Sequence, residues 1–274
     1  MPKSSVTKLE KLSNTLRQDV IKMLVKAGTG HPAAALGLAD IFTVLYFEIL
    51  KHNPKKPAWE NRDRLCLSCG HACPILYAAL ARSGYFPLAK LNTLRKFGSQ
   101  LQGHPSLTDL PGVENSSGPL GQGASVAVGR ALAAKTNKQS HLVYCVTSDG
   151  EHNEGQLWEA VMSAAKFGLD NLIFIVDRNN IQIDGFTEDI MPLESLKLKY
   201  EAFNWQVFET DGHDIEKLIE VFNLAKKSFG RPKVIIAQTV PGKGVSFMEN
   251  DWHWHGQAPN SKQGSSALRQ LKVK

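Results

Sequence analysis

Asp149-Gly150-Glu151 and Asp177-Arg178-Asn179-Asn180-Ile181 decide the fold of this chain. Each closes an apolar run, residues 141–147 and 171–176, that predicts a buried strand. Asp149 and Asn179 lie 30 residues apart, which is room for one strand–helix–strand crossover. That connection delivers a carboxylate, a side-chain amide and a backbone carbonyl to one edge of a parallel sheet, where open α/β sheets bind ligands. Oxygen-only ligands suit Mg²⁺, with Ca²⁺ or Mn²⁺ as substitutes, and waters and substrate phosphates complete its shell. Gly150 is expected to leave its N–H open to a phosphate, and the helix after it presents its positive end. These residues predict a site for a metal-bound diphosphate.

The pattern outward from these segments is regular. Residues 7–27 predict an amphipathic helix, with apolar positions at 9, 12, 16, 20, 21, 24 and 25. A second helix is expected over 37–50, a loop over 52–62, a short strand over 65–68, and helices over 73–83 and 88–97. Residues 98–119, rich in Gly, Pro, Ser and Asn, form a long loop of the kind that carries function. Residues 120–136 are small and apolar, so that face is expected to pack against another helix, with a subunit interface as one place for it. Strands over 141–147, 171–177, 205–209 and 233–239 then alternate with helices over 155–167, 193–203 and 214–228. Alternation of this kind predicts the α/β class, a mainly parallel sheet flanked by helices. One domain over 1–274 is expected, with about 260–274 as a loose tail and no internal repeat.

Composition bounds the function classes. With 42% hydrophobic and 21% charged residues the chain reads as an ordinary soluble globule. No stretch is long and apolar enough to span a bilayer. Residues 1–12 are polar and lysine-bearing, unlike a secretory signal, so a cytoplasmic location is expected. The net charge of +6 invites nucleic acid, but the basic runs at 51–56, 197–199 and 272–274 lack interleaved aromatics. A solvated basic face is the better reading, and a mild positive field favours phosphorylated sugars and a diphosphate. Cys66, Cys69, His71 and Cys73 do not form the two separated ligand pairs of a structural zinc site. With Cys145 the cysteines read as buried free thiols of a reducing compartment.

Of nine histidines, four stand beside glycine in motif positions: His31, His71, His104 and His255. Glycine lets a backbone come near a ligand, and histidine titrates near neutrality, which suits proton transfer. His52, His141, His152 and His213 are read as structural, and His253 is set aside because Gly256 adjoins His255. Plainer readings exist at other positions. Asp149 serves equally as a helix N-cap, and Asn179-Asn180 as turn residues. Residues 118–123 can be a simple helix start with Pro119 at its first position. Lys243 can be a solvated lysine, and Glu154 a first-turn carboxylate favoured by the helix dipole.

Taken in order, Thr29-Gly30-His31-Pro32, Ser68-Cys69-Gly70-His71, Gly103-His104-Pro105, Gly118-Pro119-Leu120-Gly121-Gln122-Gly123, Asp149-Gly150, Asn153-Glu154-Gly155, Asn179, Gly242-Lys243-Gly244 and Trp254-His255-Gly256 resemble the transketolase family. The likeness is to the N-terminal, diphosphate-binding third of those enzymes and runs from the first helix to about Pro259. It implies a thiamine diphosphate-binding fold of the PP type. It implies transfer of a two-carbon ketol unit from a ketose phosphate to an aldose. Carried over residue by residue, Asp149, Asn179 and the Ile181 carbonyl hold the metal. His71, Gly118, Leu120, Gly150, Glu151, Asn179 and His255 meet the cofactor, with Gly118 and Leu120 at its aminopyrimidine. His31, His104 and His255 hydrogen-bond sugar hydroxyls and shuttle protons. Glu154 lies at the subunit contact, and Lys243 meets substrate or the loop over the cofactor.

In this family the glutamate at the pyrimidine N1′ lies in a second, pyrimidine-binding domain, beyond the segment where this chain stops. The resemblance therefore implies the N-terminal subunit of a split, two-chain transketolase. Its partner is a C-terminal subunit carrying that domain and the catalytic glutamate, in an α2β2 heterotetramer with the cofactor at the shared interface. Three departures bear on the substrate. Ser148 stands where the family commonly has glycine, Pro241 where a basic or polar residue is common, and Ala33-Ala34-Ala35 where the stretch is glycine-rich. The added methyls are expected to narrow the donor channel beside His31. Two other readings compete: a degenerate, non-catalytic binding module, and the α subunit of another two-chain thiamine enzyme such as a 2-oxo acid dehydrogenase. A nicotinamide dehydrogenase is disfavoured, because no G-x-G-x-x-G follows the first strand.

Overall fold

The computed structural model describes residues 3–272. A long helix α1 (Lys3–Ala27) leads to two short helices, α2 (Pro32–Gly37) and α3 (Ala39–Val44), and a π-helical turn Leu45–Ile49. Strand β1 (Arg64–Leu67) and helix α4 (Cys73–Ser83) follow. After the long loop come α5 (Gln122–Thr136), β2 (Val143–Ser148), α6 (Gly155–Lys166) and β3 (Leu172–Arg178). The chain continues through α7 (Thr187–Ile190), α8 (Leu196–Ala202), β4 (Gln206–Asp211), α9 (Ile215–Lys227), β5 (Lys233–Gln238) and α10 (Ser261–Lys272).

The five strands are all parallel, in the order β1-β2-β3-β5-β4. Every residue of β2 and β3 is buried, as expected of strands covered by helices on both faces. Alternation along the strands feeds two cores. Tyr144, Val146, Ile173 and Ile175 face the layer of α1, α3, α4 and α9, with Leu16, Phe42, Tyr77 and Phe222. Val143, Cys145, Phe174 and Val176 face the layer of α5, α6 and α8, with Ala127, Leu157, Tyr200 and Trp205. Helix α9 starts sharply because the Asp214 side chain accepts the Lys217 N–H at 3.0 Å.

Several expectations need correction. The segment predicted as one helix over 37–50 is broken into α2, α3 and the π-turn. Residues 88–93 are 3₁₀, and the helix expected over 193–203 covers only Leu196–Ala202. The tail expected to be loose forms α10, whose Gly264, Ala267 and Leu271 are buried. Gly264 is part of the reason: a Cβ there would lie 2.3 Å from the Val25 side chain, so only glycine lets α10 seat on α1. The small face of α5 is used within the chain, with Ala124, Ala127 and Ala131 packed between the sheet and α6. Gly123 sets the closeness of that contact, since its Cβ would be 2.5 Å from the Ser68 Cα. Among the described residues no helix is long and apolar enough to cross a membrane.

Candidate functional site

The C-terminal ends of the parallel strands converge on a cavity of about 310 Å³. Four histidines from four segments form one wall: His31 before α2, His71 after β1, His104 in the long loop and His255 after the 3₁₀ turn Trp252–Trp254. Their ring centroids lie 5.3 Å apart for His31 and His71, and 5.1 Å for His71 and His255. His31 stands 5.7 Å from His255 and 6.4 Å from His104. Gly118, Leu120, Ser148 and Gly150 border the cavity, and Asn179 and Ile181 reach it from the end of β3. Sequence reading omitted Gln182, Ile183 and Asp184, which complete the lining. They follow Ile181 directly, so adjacency to a predicted ligand was the available signal.

Glycine is required at some of these approaches. A Cβ on Gly70 would lie 2.7 Å from Ser117 Oγ and 2.9 Å from the Ser117 carbonyl carbon, so the His71 turn presses on the backbone before Gly118. His253 is mostly exposed and bonded to Asp251 at 2.6 Å, whereas His255 joins the cluster. His52, His141, His152 and His213 lie outside the cavity. Ala33, Ala34 and Ala35 are buried in the core and do not line it, so their methyls do not narrow it.

All four clustered imidazoles are held neutral. Burial drives His71 down to about 3, helped by the neighbouring His255, His31 and His104. Burial takes His31 down to about 4, with His255, Arg95 and His104 adding to it. His104 is lowered by burial and then by Arg95, and His255 by burial. Neutral rings can accept a proton from a sugar hydroxyl or donate one in a hydrogen bond.

Asp149 has no exposed surface and stands behind Gly150, outside the cavity lining. One carboxylate oxygen accepts the Gly150 N–H at 2.7 Å, which corrects the expectation that this N–H is free. The other accepts the Asn180 N–H at 2.6 Å and meets the Arg178 guanidinium at 3.1 Å. Burial raises the Asp149 carboxyl, while Arg178 and the two N–H groups oppose this. Arg178 also bonds Thr187 at 3.2 Å, Glu188 at 2.8 Å and Glu194 at 2.9 Å, tying the segment after β3 to the Asp149 carboxylate. Nothing in the sequence reading marked Arg178, although a charged residue at the end of a fully buried strand needs a partner.

Asn179 is oriented by its neighbours. Its Nδ2 donates to Asp177 at 2.8 Å and its Oδ1 accepts the Ile181 N–H at 3.0 Å. Burial pushes Asp177 up to about 7, against hydrogen bonds from Thr239 and Asn179. Glu151, expected at the cofactor, is fully buried and outside the cavity lining. Its carboxylate accepts from the Ser68 hydroxyl, from the Gly121 N–H at 2.6 Å and from the Ser148 N–H at 3.2 Å. Glu151 thus joins three cavity-bordering segments from behind. Helix α5 begins at Gln122 rather than at Pro119, because Gly121 sits at φ +80°. The Asp149 carboxylate, Asn179 amide oxygen and Ile181 carbonyl are all hard oxygen donors, a set that fits Mg²⁺ only if other ligands complete it.

An open α/β sheet with an oxygen-donor set and a glycine-bordered cavity at its switch edge defines a diphosphate-binding domain. The chain matches the family described as "Transketolase, thiamine diphosphate binding domain" over residues 9–272, and it belongs to that family. It is 40% identical to a 6-deoxy-6-sulfo-D-fructose transketolase subunit from a Clostridium species, over 96% of both chains. It is 39% identical to an apulose-4-phosphate transketolase subunit from Phocaeicola vulgatus, over 97% of this chain and 94% of that one. Among solved structures, Campylobacter jejuni transketolase superposes with a TM-score of 0.91 at 40% identity, covering 96% of this chain. The chain spans about two-fifths of the length of that transketolase and of the Leishmania mexicana enzyme, at 42% and 41%. The transketolase resemblance and the α/β thiamine diphosphate-binding fold read from the sequence therefore stand.

Proposed function

We propose that this chain is the diphosphate-binding subunit of a two-chain transketolase, dependent on thiamine diphosphate and Mg²⁺. The observation that carries the reading is the four-histidine wall sharing one cavity with Gly150, Asn179 and Ile181, with Asp149 buried next to Gly150 and bonded to the Asn180 N–H. Asp149, Asn179 and the Ile181 carbonyl are the residues that would hold the metal. Gly150, His71, Gly118, Leu120 and His255 border the space for the cofactor, and Glu151 holds their segments in register. When bound, thiamine diphosphate supplies an electron sink for breaking a carbon–carbon bond beside a carbonyl.

The chain's own residues then handle the sugar. His31, His104 and His255 are kept neutral and project into one cavity, where they orient hydroxyls and exchange protons with them. The net reaction moves a two-carbon ketol unit from a ketose phosphate to an aldose. Relatives named for a sulfonated fructose and for apulose 4-phosphate point to donors with an anionic far end. The chain's net charge of +6 suits such sugars.

A partner subunit with the pyrimidine-binding domain and its glutamate completes the reading, in an α2β2 assembly in the cytoplasm. Support comes from relatives that are named as subunits and match this chain almost end to end. Exposed Ile183, Phe186, Ile190 and Met191 beside the cavity give such a partner an apolar edge to cover. The four buried free thiols suit a reducing compartment. Native mass spectrometry of the tagged chain from its own cells is the test. A second chain retained with thiamine diphosphate and Mg²⁺ supports the reading. Full ketol transfer by this chain alone, with pure cofactor and sugars, overturns it.

A further inference from the structure

Arg95 is a cation without a counter-ion beside the histidine wall. Arg17, Arg62, Arg82 and Arg178 each meet a carboxylate, but among the described residues Arg95 meets none. Its backbone sits at φ +57°, a left-handed conformation that costs a residue with a Cβ, and its N–H is fixed to the Leu101 carbonyl at 2.9 Å. The guanidinium reaches Thr29 Oγ1 at 3.4 Å and the Gly103 carbonyl at 3.3 Å. These contacts adjoin His31 on one side and His104 on the other.

The fit against Gly103 is close. A Cβ there would be 2.9 Å from the guanidinium carbon of Arg95, so the planar fork lies flat on a bare backbone. From below, the same loop rests on neutral groups. Cys73 Sγ donates to the Gly103 carbonyl at 3.1 Å, and the Tyr77 hydroxyl to the Gln102 carbonyl at 2.9 Å.

We propose that Arg95 is a positioning residue for the ketol-transfer reaction, clamping the loop of His31 to the loop of His104 so that both rings meet one sugar. A fork with fixed donors can hold two loops at once, which a lysine cannot reproduce. The clamp also carries a charge. His31 faces His71, His104, His255 and Arg95, and His104 faces His31 and Arg95. The fixed cation resists protonation of either ring after burial has already disfavoured it.

This inference rests on the transketolase reading, and its test separates the two. Arg95→Gln removes the charge, and Arg95→Lys keeps the charge but removes the fork. NMR titration of the histidine ring protons in the full chain requires neither cofactor nor turnover. Arg95→Gln is expected to move the His31 and His104 midpoints upward while His152 stays in place, and Arg95→Lys to leave all three near wild type. In the assembled enzyme both variants are expected to lose kcat/KM by up to about a hundredfold, the scale of a misplaced reacting group. Only Arg95→Gln should shift the acid limb of the pH profile to higher pH. Unmoved His31 and His104 midpoints in Arg95→Gln, or a wild-type kcat/KM in both variants, overturns the proposal. So does a fall in Tm with no other change. If the wild-type assembly transfers no ketol unit, the transferase reading falls, and the histidine midpoints still decide whether the Arg95 charge acts on His31 and His104.

Discussion

His213 and Asp40, 173 residues apart in the chain, share a 2.8 Å hydrogen bond between Nδ1 and the carboxylate. The same imidazole accepts the Val240 N–H on Nε2 at 2.8 Å, which fixes the proton on Nδ1. Asp40 is also paired with Arg17 and with the Ser13 hydroxyl. Burial alone would raise the Asp40 carboxyl, but Arg17, with His213 and Ser13, brings it down to about 2. A buried ionic network on the α1 side thereby holds the segment that runs from β5 toward His255.

His213→Leu should leave the Val240 N–H unpaired and Asp40 one donor short. The expected cost is about 1–3 kcal/mol, read as a lower urea midpoint at unchanged m. A wild-type midpoint would show that the ring is not fastening that segment.

Arg178→Leu should be more damaging. The arginine is 3% exposed and Asp149 fully buried, so truncation strands a buried carboxylate among acidic neighbours. Loss of one partner from a buried pair costs about 3–5 kcal/mol. The double variant Arg178→Leu with Asp149→Asn should recover part of this in equilibrium unfolding.

Asp149→Asn alone keeps the volume and removes the charge. Thiamine diphosphate affinity of the assembled enzyme in the presence of Mg²⁺, followed by isothermal calorimetry, is expected to fall by at least about tenfold, since losing a ligand should cost at least what losing its supporting partner does. Unchanged metal-dependent affinity would remove Asp149 from the metal site.

Gly123→Ala tests the helix-to-strand approach. The added methyl would meet Ser68 at 2.5 Å from its Cα, in a place where backbone must move. Overpacking of this kind costs about 1–3 kcal/mol. The Ser68–Glu151 contact is also disturbed, so cofactor affinity should fall together with the melting temperature.

Acid should destabilise the fold through its buried histidines. His71 falls to about 3 and His31 and His152 to about 4 in the folded chain, against 6.5 when free. Between about 6.5 and 4 the unfolded chain binds more protons, so stability drops as pH falls through that window. Melting temperatures measured across it should decline more steeply in wild type than in His152→Gln. Equal slopes would show that His152 does not contribute.

The sheet was legible because its inner strands carry continuous apolar runs such as residues 172–176, and a run buried on both faces announces itself. The histidines were legible because each adjoins glycine within one of the motif segments; Gly212-His213 shares the glycine but lies in no such segment and outside the cavity. What escaped the reading depends on contacts between distant segments. Arg178 looks like a strand-end charge until Glu188 and Glu194 close on it. Arg95 looks like a surface residue until Thr29 and Gly103 meet across it. The polar tail beyond Pro259 carries few apolar residues, yet Ala267 and Leu271 suffice once Gly264 lets the helix sit close.

Glu151 receives hydrogen bonds from the ends of β1 and β2 and from the turn before α5. A carboxylate satisfied by donors from three segments leaves those segments little freedom of their own. The part of the cavity they border is therefore held in place by the fold itself. Binding there does not have to order a loose cradle, so more of the contact energy survives as affinity. For these three segments the entropy of ordering falls on folding and not on the encounter.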